Sequence, residues 1–109
     1  MRAPQRGEVG LVDLGMAAKV RPCLVLSVPP SDSDRSLVTL VPHTTSLRSS
    51  QFEVEIPISF LKPGGFDAQS LVTVPPVRFL RILGRLSSEQ LSKVESRVCA
   101  WLGLDQTPG

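Results

Sequence analysis

The sequence is poor in the residues on which many enzyme and redox signatures depend. Its 109 residues include only two cysteines and one histidine. Cys23 and Cys99 lie far apart, without CxxC spacing or a second histidine, so neither a metal site nor a redox pair is supported, and we expect two buried free thiols. With His43 alone, a two-histidine acid/base pair cannot form within one chain. A P-loop, a dinucleotide-binding glycine pattern, HExxH and a nucleophile elbow are also missing, so we expect no metal and no cofactor.

Long apolar runs and strong charge are also missing. No run approaches the roughly 18 to 20 residues of a membrane helix, and the first six residues lack the apolar stretch of a secretory signal, so we expect a cytoplasmic protein that does not associate with membranes. The net charge of +2 is too small to indicate a nucleic-acid partner. However, nine of the twelve cations are arginine, whose planar fork suits phosphate.

What the sequence does contain is typical of short strands joined by tight turns. Its length predicts one domain over residues 1–109, with flexible ends at about 1–5 and 105–109. Ten prolines and eight glycines separate the short apolar segments. We predict strands at 8–14, 23–28, 37–41, 52–56, 70–74 and 81–86, the third of them ended by Pro42. The first is apolar enough to be buried on both faces, and the second is apolar enough for a central strand.

The C-terminal segment changes to a helical period. One face carries Leu91, Val94, Val98, Trp101 and Leu102. Ser87 and Gln90 have the spacing of a capping box, and Gly103 is placed to end the helix. Trp101, Phe79 and Phe52 follow the apolar pattern, so we interpret them as core residues rather than as base-stacking residues. The predicted fold is mainly β, a strongly bent sheet or partly open barrel with one C-terminal helix.

Polar residues crowd at two strand ends, 19–22 and 42–48. Arg21 precedes a proline, which favours extended backbone and holds the guanidinium at the rim of the sheet. It can face a phosphate, or it can pair structurally with Asp13 or Glu8. Residues 43–46 can hold a phosphate or form an ordinary Ser/Thr turn, and His43 can touch substrate or act as a structural hydrogen-bonding group.

The order of several short motifs closely resembles the MazF/PemK family of bacterial toxins. These motifs are Arg6-Gly7-Glu8-Val9, Val12-Asp13-Leu14-Gly15, residues 19–27, Val41-Pro42-His43-Thr44-Thr45-Ser46, and Leu83-Gly84-Arg85-Leu86 before a helix that ends at Leu102-Gly103-Leu104. The resemblance covers nearly the whole chain.

The resemblance implies a homodimeric SH3-like barrel that acts as a metal-independent, sequence-selective endoribonuclease on single-stranded mRNA and is restrained by an acidic MazE-like antitoxin. Attack of the RNA 2′-OH on the adjacent phosphate would leave a 2′,3′-cyclic phosphate and a 5′-OH. The catalytic arginine of the family falls on Arg21 and its catalytic threonine on Thr44. Together with the two polar segments, the resemblance leads us to expect that RNA is bound by Lys19, His43, Thr45, Ser46, Arg48 and Arg78.

Three positions differ from the family pattern, so a recognition sequence does not follow from it. Gly10 stands where an aromatic residue is common, the connection from Gly15 to Val20 is short, and Pro75-Pro76 replaces a polar stretch. Two alternatives stay open. One is a CcdB-like toxin that binds gyrase, suggested by Trp101 near the C-terminus, and the other is a catalytically silent homologue that binds the antitoxin.

Overall fold

A computed structural model of the chain describes residues 3–15 and 19–105. Residues 1–2 and 106–109 of the predicted flexible ends, and positions 16–18 of the short connection, lie outside these residues. The strands are β1 (Glu8–Asp13), β2 (Val20–Val25), β3 (Val38–Thr44), β4 (Glu53–Val54), β5 (Gly65–Asp67), β6 (Val72–Val74) and β7 (Phe79–Arg85), followed by helix α1 (Ser88–Leu102). Short 3-10 helices cover Ala68–Ser70 and Pro76–Arg78. Within the described ranges, no helix has the length and apolar character needed to span a membrane.

The strands form one open, antiparallel sheet. Its order is β4-β5-β3-β2-β1-β7, and β6 pairs with the first part of β3. β4 and β7 end this path, so the sheet does not close on itself. The predicted fold class, mainly β with one C-terminal helix, is confirmed.

Two apolar clusters pack on opposite faces of the sheet. The cluster on the helix side contains Val9, Leu24, Val41, Phe66 and Val94 among its buried residues. The cluster on the other face is built from Val12, Cys23, Val25, Val38, Leu40 and Phe79. Successive residues of a strand point to opposite faces, so the continuous apolar runs of β1 and β2 supply both clusters. The predicted burial of the first strand on both faces is confirmed.

The helix ends form as the sequence predicts. The Ser87 hydroxyl accepts a hydrogen bond from the Gln90 backbone N–H at 3.1 Å, and the Gln90 side chain accepts one from the Ser87 N–H at 2.9 Å. Gly103 ends the helix with a φ of 72°, in the left-handed region that favours glycine. The capping box and the terminating glycine are both confirmed.

The aromatic residues divide between core and surface. Phe79 is buried, as predicted, and Phe52 packs against the helix-side cluster. Trp101 is 44% exposed and contacts Phe52 edge to face, with ring centroids 5.4 Å apart. The prediction that Trp101 belongs to the core is therefore wrong. The buried residues of the helix are Val94 and Val98, and Trp101 belongs to the last turn, which follows them.

Strand boundaries differ most from prediction around prolines. β3 does not stop before Pro42 but continues to Thr44, and β2 begins at Val20, includes Pro22 and ends at Val25. The strand predicted at 70–74 begins only at Val72, and the one predicted at 52–56 is reduced to two residues. β5 was not predicted at all, because Pro63-Gly64-Gly65 indicates a turn.

The two thiols differ in burial. Neither cysteine forms a disulfide; Cys23 is fully buried, as predicted, whereas Cys99 is only partly buried. Burial raises the pKa of the Cys23 thiol to about 12, although the nearby Arg21 charge acts in the opposite direction. Cys23 is therefore a protonated core residue at neutral pH.

Candidate active site

Arg21 and Thr44 line one cavity of about 480 Å³. Arg21 is near the start of β2, and Thr44 is the last residue of β3. The two strands are antiparallel and paired from Cys23 opposite Pro42. The same register continued by two residues, beyond the paired region, places Arg21 across from Thr44. A guanidinium and a hydroxyl from neighbouring strands thus meet at one end of the sheet.

The Arg21 guanidinium is not used by the fold. Across residues 3–15 and 19–105, no carboxylate lies within ion-pair distance of it, and its side chain makes no hydrogen bond. Asp13, one of its two possible structural partners, lies 3.9 Å from an Arg78 nitrogen. Glu8, the other, is buried and accepts a hydrogen bond from the Gln5 N–H at 2.6 Å. The charge of Arg21 is therefore available to a ligand in the cavity.

The Thr44 hydroxyl is oriented by its own turn. Its oxygen accepts a hydrogen bond from the Ser46 backbone N–H at 3.0 Å. A threonine hydroxyl has one proton to donate besides its acceptor lone pairs, so accepting this bond leaves the proton free for a ligand. The Ser/Thr turn and a ligand-facing hydroxyl are therefore compatible.

The opposite wall comes from residues that sequence reasoning missed. Asp67, Ser70, Leu71 and Val72 complete the cavity with Leu14 and Pro42. The Asp67 carboxylate accepts hydrogen bonds from the Gln69 N–H at 3.1 Å and the Ser70 hydroxyl at 2.7 Å, and so caps the 3-10 helix. Nothing in the sequence links these residues to Thr44, because they reach it through the pairing of β5 with the end of β3.

The structure separates the six predicted RNA-binding residues. Lys19, His43 and Thr45 line a second cavity of about 590 Å³, whereas Ser46, Arg48 and Arg78 line neither cavity. The Arg48 N–H donates to the Glu53 carboxylate at 2.9 and 3.1 Å, and this bond stabilises the turn after β3. The predicted residues therefore do not form a single cluster.

His43 is 4% exposed, which makes it a residue of the sheet interior. Its ring meets Phe66 edge to face, with centroids 5.1 Å apart. Burial lowers the pKa of His43 below 6.5, so the imidazole is neutral at pH 7. It therefore adds no positive charge to the second cavity at that pH.

Gly10 is one of the three places where the sequence differs from the family pattern, and it leaves room for an aromatic ring from another strand. A Cβ on Gly10 would lie 2.2 Å from two ring carbons of Phe79 and 2.6 Å from the Arg81 carbonyl oxygen. Phe79 from β7 therefore fills the space that a side chain at position 10 would occupy.

Metal-ligating side chains do not cluster near the site. Among the residues with described positions, no group of three or more His, Cys, Asp or Glu side chains is placed to hold a metal ion. Of the polar side chains that line the Arg21–Thr44 cavity, Asp67 and Ser70 are hydrogen-bonded to each other. Arg21 and Thr44 are the ones whose donors remain available to a ligand.

Comparisons with known proteins agree with the fold. No curated protein matches the chain. A mycobacterial endoribonuclease, solved with its cognate antitoxin, is 26% identical with a TM-score of 0.81, over 96% of this chain and all of that one. A second mycobacterial endoribonuclease structure is 25% identical with a TM-score of 0.79, over 98% of both chains. MazE-MazF from Deinococcus radiodurans is 22% identical over 96% of this chain and 100% of that one, and its TM-score of 0.80 shows the fold alone.

The family itself is shown by the sequence pattern of residues 5–102, which matches a family described as PemK-like, MazF-like toxin of type II toxin-antitoxin system. This match covers most of the chain and includes both Arg21 and Thr44. The chain therefore belongs to the PemK-like, MazF-like toxins of type II toxin–antitoxin systems.

Proposed function

We propose that this toxin is a metal-independent endoribonuclease that cleaves single-stranded mRNA in the cytoplasm, with Arg21 and Thr44 as its catalytic residues. The observation that carries the proposal is the meeting of an unpaired guanidinium and an oriented hydroxyl in one cavity. The two similar structures described as endoribonucleases support the same activity.

The reaction is an internal transfer at phosphorus. The ribose 2′-oxygen attacks the adjacent phosphorus, and the bond to the 5′-oxygen of the next nucleotide breaks. The 2′-hydroxyl loses a proton to solvent and the 5′-oxygen gains one, so no co-reactant is consumed. The products are a 2′,3′-cyclic phosphate and a 5′-hydroxyl.

The chain stabilises the charge that develops during this transfer. Negative charge builds on the non-bridging oxygens of the five-coordinate phosphorus. Arg21 can donate two parallel hydrogen bonds to these oxygens, and Thr44 can donate a third. Because both donors are held on neighbouring strands before substrate arrives, little reorganisation is needed in the transition state.

The activity is tested by incubating the protein with a long unstructured RNA and determining the new ends. We expect fragments with 5′-hydroxyls, which a kinase labels without prior phosphatase treatment, and 3′ ends that carry a cyclic phosphate. Excess EDTA should leave the rate unchanged. Fragments with 5′-phosphates, or cleavage that EDTA abolishes, would contradict the proposed chemistry.

We also propose that the toxin is a homodimer. β7 is an edge strand, and it carries the exposed apolar residues Leu80 and Ile82, with Val77 82% exposed just before it. Exposed apolar residues on an edge strand are commonly covered by a second copy related by twofold symmetry. Sedimentation at roughly tens of micromolar, well above typical dimer dissociation constants, should give a dimer, and a monomer would contradict this.

The proposed inhibitor is an acidic, MazE-like antitoxin. The similar mycobacterial endoribonuclease was solved with its cognate antitoxin. We expect an acidic antitoxin segment to be attracted by Arg21, Arg48 and Arg78 and to block the RNA site. The antitoxin should therefore compete with RNA in a binding assay. Inhibition that leaves RNA binding unchanged would contradict this arrangement.

A further inference from the structure

The second cavity lies on the opposite face of the sheet from the Arg21–Thr44 cavity. Its lining includes Leu11, Pro22 and His43, which alternate along their strands with Val12, Arg21 and Thr44. The chain segment 60–62 also lines it. Arg21 lines both cavities, so they meet at the beginning of β2.

The charge of this second cavity is of one sign. Lys19, Arg21, Lys62 and Arg81 line it, and no carboxylate does. None of these four side chains makes an ion pair or a hydrogen bond with another described residue. Three other surface cavities each include at least one carboxylate in their lining. Unpaired like charges around one concave surface attract a polyanion, because walls of low dielectric constant focus their field.

The lining of this cavity also includes apolar residues and one aromatic ring. Leu11, Phe60 and Leu83 line it together with the cationic side chains. Phe60 is partly buried and lies directly over Gly84 of β7. Cationic side chains beside an aromatic ring are typical of proteins that bind single-stranded nucleic acid, in which cations hold the backbone and an aromatic residue stacks on a base. A purely acidic peptide would match the charge but would bring no flat ring to stack on Phe60.

We infer that this cavity is an RNA subsite that holds a nucleotide flanking the cleaved bond, with its phosphate near Lys62 and Arg81 and its base against Phe60. The inference rests on the proposed function. Because Arg21 borders both cavities, the RNA strand passes from the scissile phosphate around the beginning of β2 to the opposite face. The volume of about 590 Å³ is ample for one nucleotide.

The test uses a series of RNAs that contain one mapped cleavage site and are shortened by one nucleotide at a time from either end. Each RNA carries a 2′-deoxy sugar at the scissile nucleotide, so that binding is measured without cleavage. Lys62→Gln combined with Arg81→Gln removes two cations from the cavity, and both side chains are exposed, so folding should be retained. Arg35→Gln combined with Lys93→Gln removes the same charge from exposed sites elsewhere. Thermal midpoints of both double variants confirm that they are folded.

For the wild type, we expect one trimming step at which affinity falls about tenfold, in the range found for a single stacked base. The cavity variant should bind the full-length RNA more weakly and show a smaller drop at that step, because it loses the phosphate contacts but keeps Phe60. For the cavity variant, the slope of the logarithm of the binding constant against the logarithm of the salt concentration should become smaller by about 0.7 for each lost phosphate contact. The control variant should keep both the drop in affinity at that trimming step and most of the salt dependence of binding.

A cavity variant that keeps the same step and slope as the control would overturn the inference. The same holds if the cavity variant loses affinity for an acidic antitoxin but binds RNA as the control does, since the occupant would then be a protein. Failure of the proposed function gives a different result, because the wild type would then cleave no RNA in the mapping experiment.

Discussion

Replacing Arg21 by alanine should affect cleavage far more than stability. Its side chain is partly buried but makes no ion pair or hydrogen bond within the described part of the chain, so the fold loses only the packing of the aliphatic stem. A loss of this kind costs about 0.5 kcal/mol. For a domain of this size, that lowers the thermal midpoint by only about 2 to 4 °C.

The cost to catalysis should be much larger. Losing one preorganised donor to a developing oxyanion slows a reaction about 100- to 1000-fold, or roughly 3 to 4 kcal/mol. Arg21→Lys should recover little of this loss, because lysine keeps the charge but lacks the planar fork that matches phosphate. The two costs differ by several kcal/mol, so one pair of measurements separates them.

The assay is single-turnover cleavage of a mapped RNA with protein in excess, which isolates the chemical step from product release. Thermal unfolding is followed on the same preparations. Arg35→Ala, an exposed arginine in the loop between β2 and β3, is the matched control and should change neither quantity. If Arg21→Ala unfolds the protein, or if it cleaves at the wild-type rate, the assignment of Arg21 is refuted.

Three further predictions concern Thr44, His43 and Gly10. Thr44→Ser should retain more single-turnover activity than Thr44→Val, because the hydroxyl rather than the shape is used; equal rates would contradict its role. The pKa of His43 is lowered in the folded state, so the unfolded chain binds more protons below pH 6.5, and stability should fall from pH 7 towards pH 5.5. In denaturant titrations, His43→Gln should show a shallower fall, and an unchanged pH dependence would refute this. Gly10→Ala should cost about 1 to 3 kcal/mol of unfolding free energy through overlap with Phe79, whereas a neutral change would show that the ring moves freely.

The sequence predicted those features of the fold that depend only on residues close to one another in the chain. The capping box of α1 and the glycine that ends it are both formed by neighbours in sequence. The burial of β1 on both faces follows from its apolar run. These features do not depend on which segments meet in the folded chain.

Prolines were misleading because their effect depends on the neighbouring strand. β2 pairs with β3 only from Cys23 onward, so Pro22 lies where one side of the strand has no partner. Pro42 lies between the part of β3 that pairs with β6 and the part that pairs with β5. A proline costs little at such gaps, because fewer ladder hydrogen bonds are required there.

The candidate site was only half predictable for the same reason. Arg21 and Thr44 belong to motifs that are visible in the sequence. Asp67 and Leu71 join them through the short pairing of β5 with β3, which involves only two residue pairs. Of the RNA-binding residues expected around Thr44, His43 and Thr45 line the second cavity instead, because successive residues at the end of a strand point in opposite directions. Ser46 and Arg48 follow the end of β3 and line neither cavity.

The most direct test of the proposed function replaces one atom of the substrate. An RNA with a mapped cleavage site is compared with the same RNA carrying a 2′-deoxy sugar at the scissile nucleotide, both at single turnover. If the 2′-oxygen is the nucleophile, the deoxy substrate should bind with similar affinity but should not be cut at that site. Continued cutting there would contradict the mechanism, because the attacking atom would have to come from elsewhere.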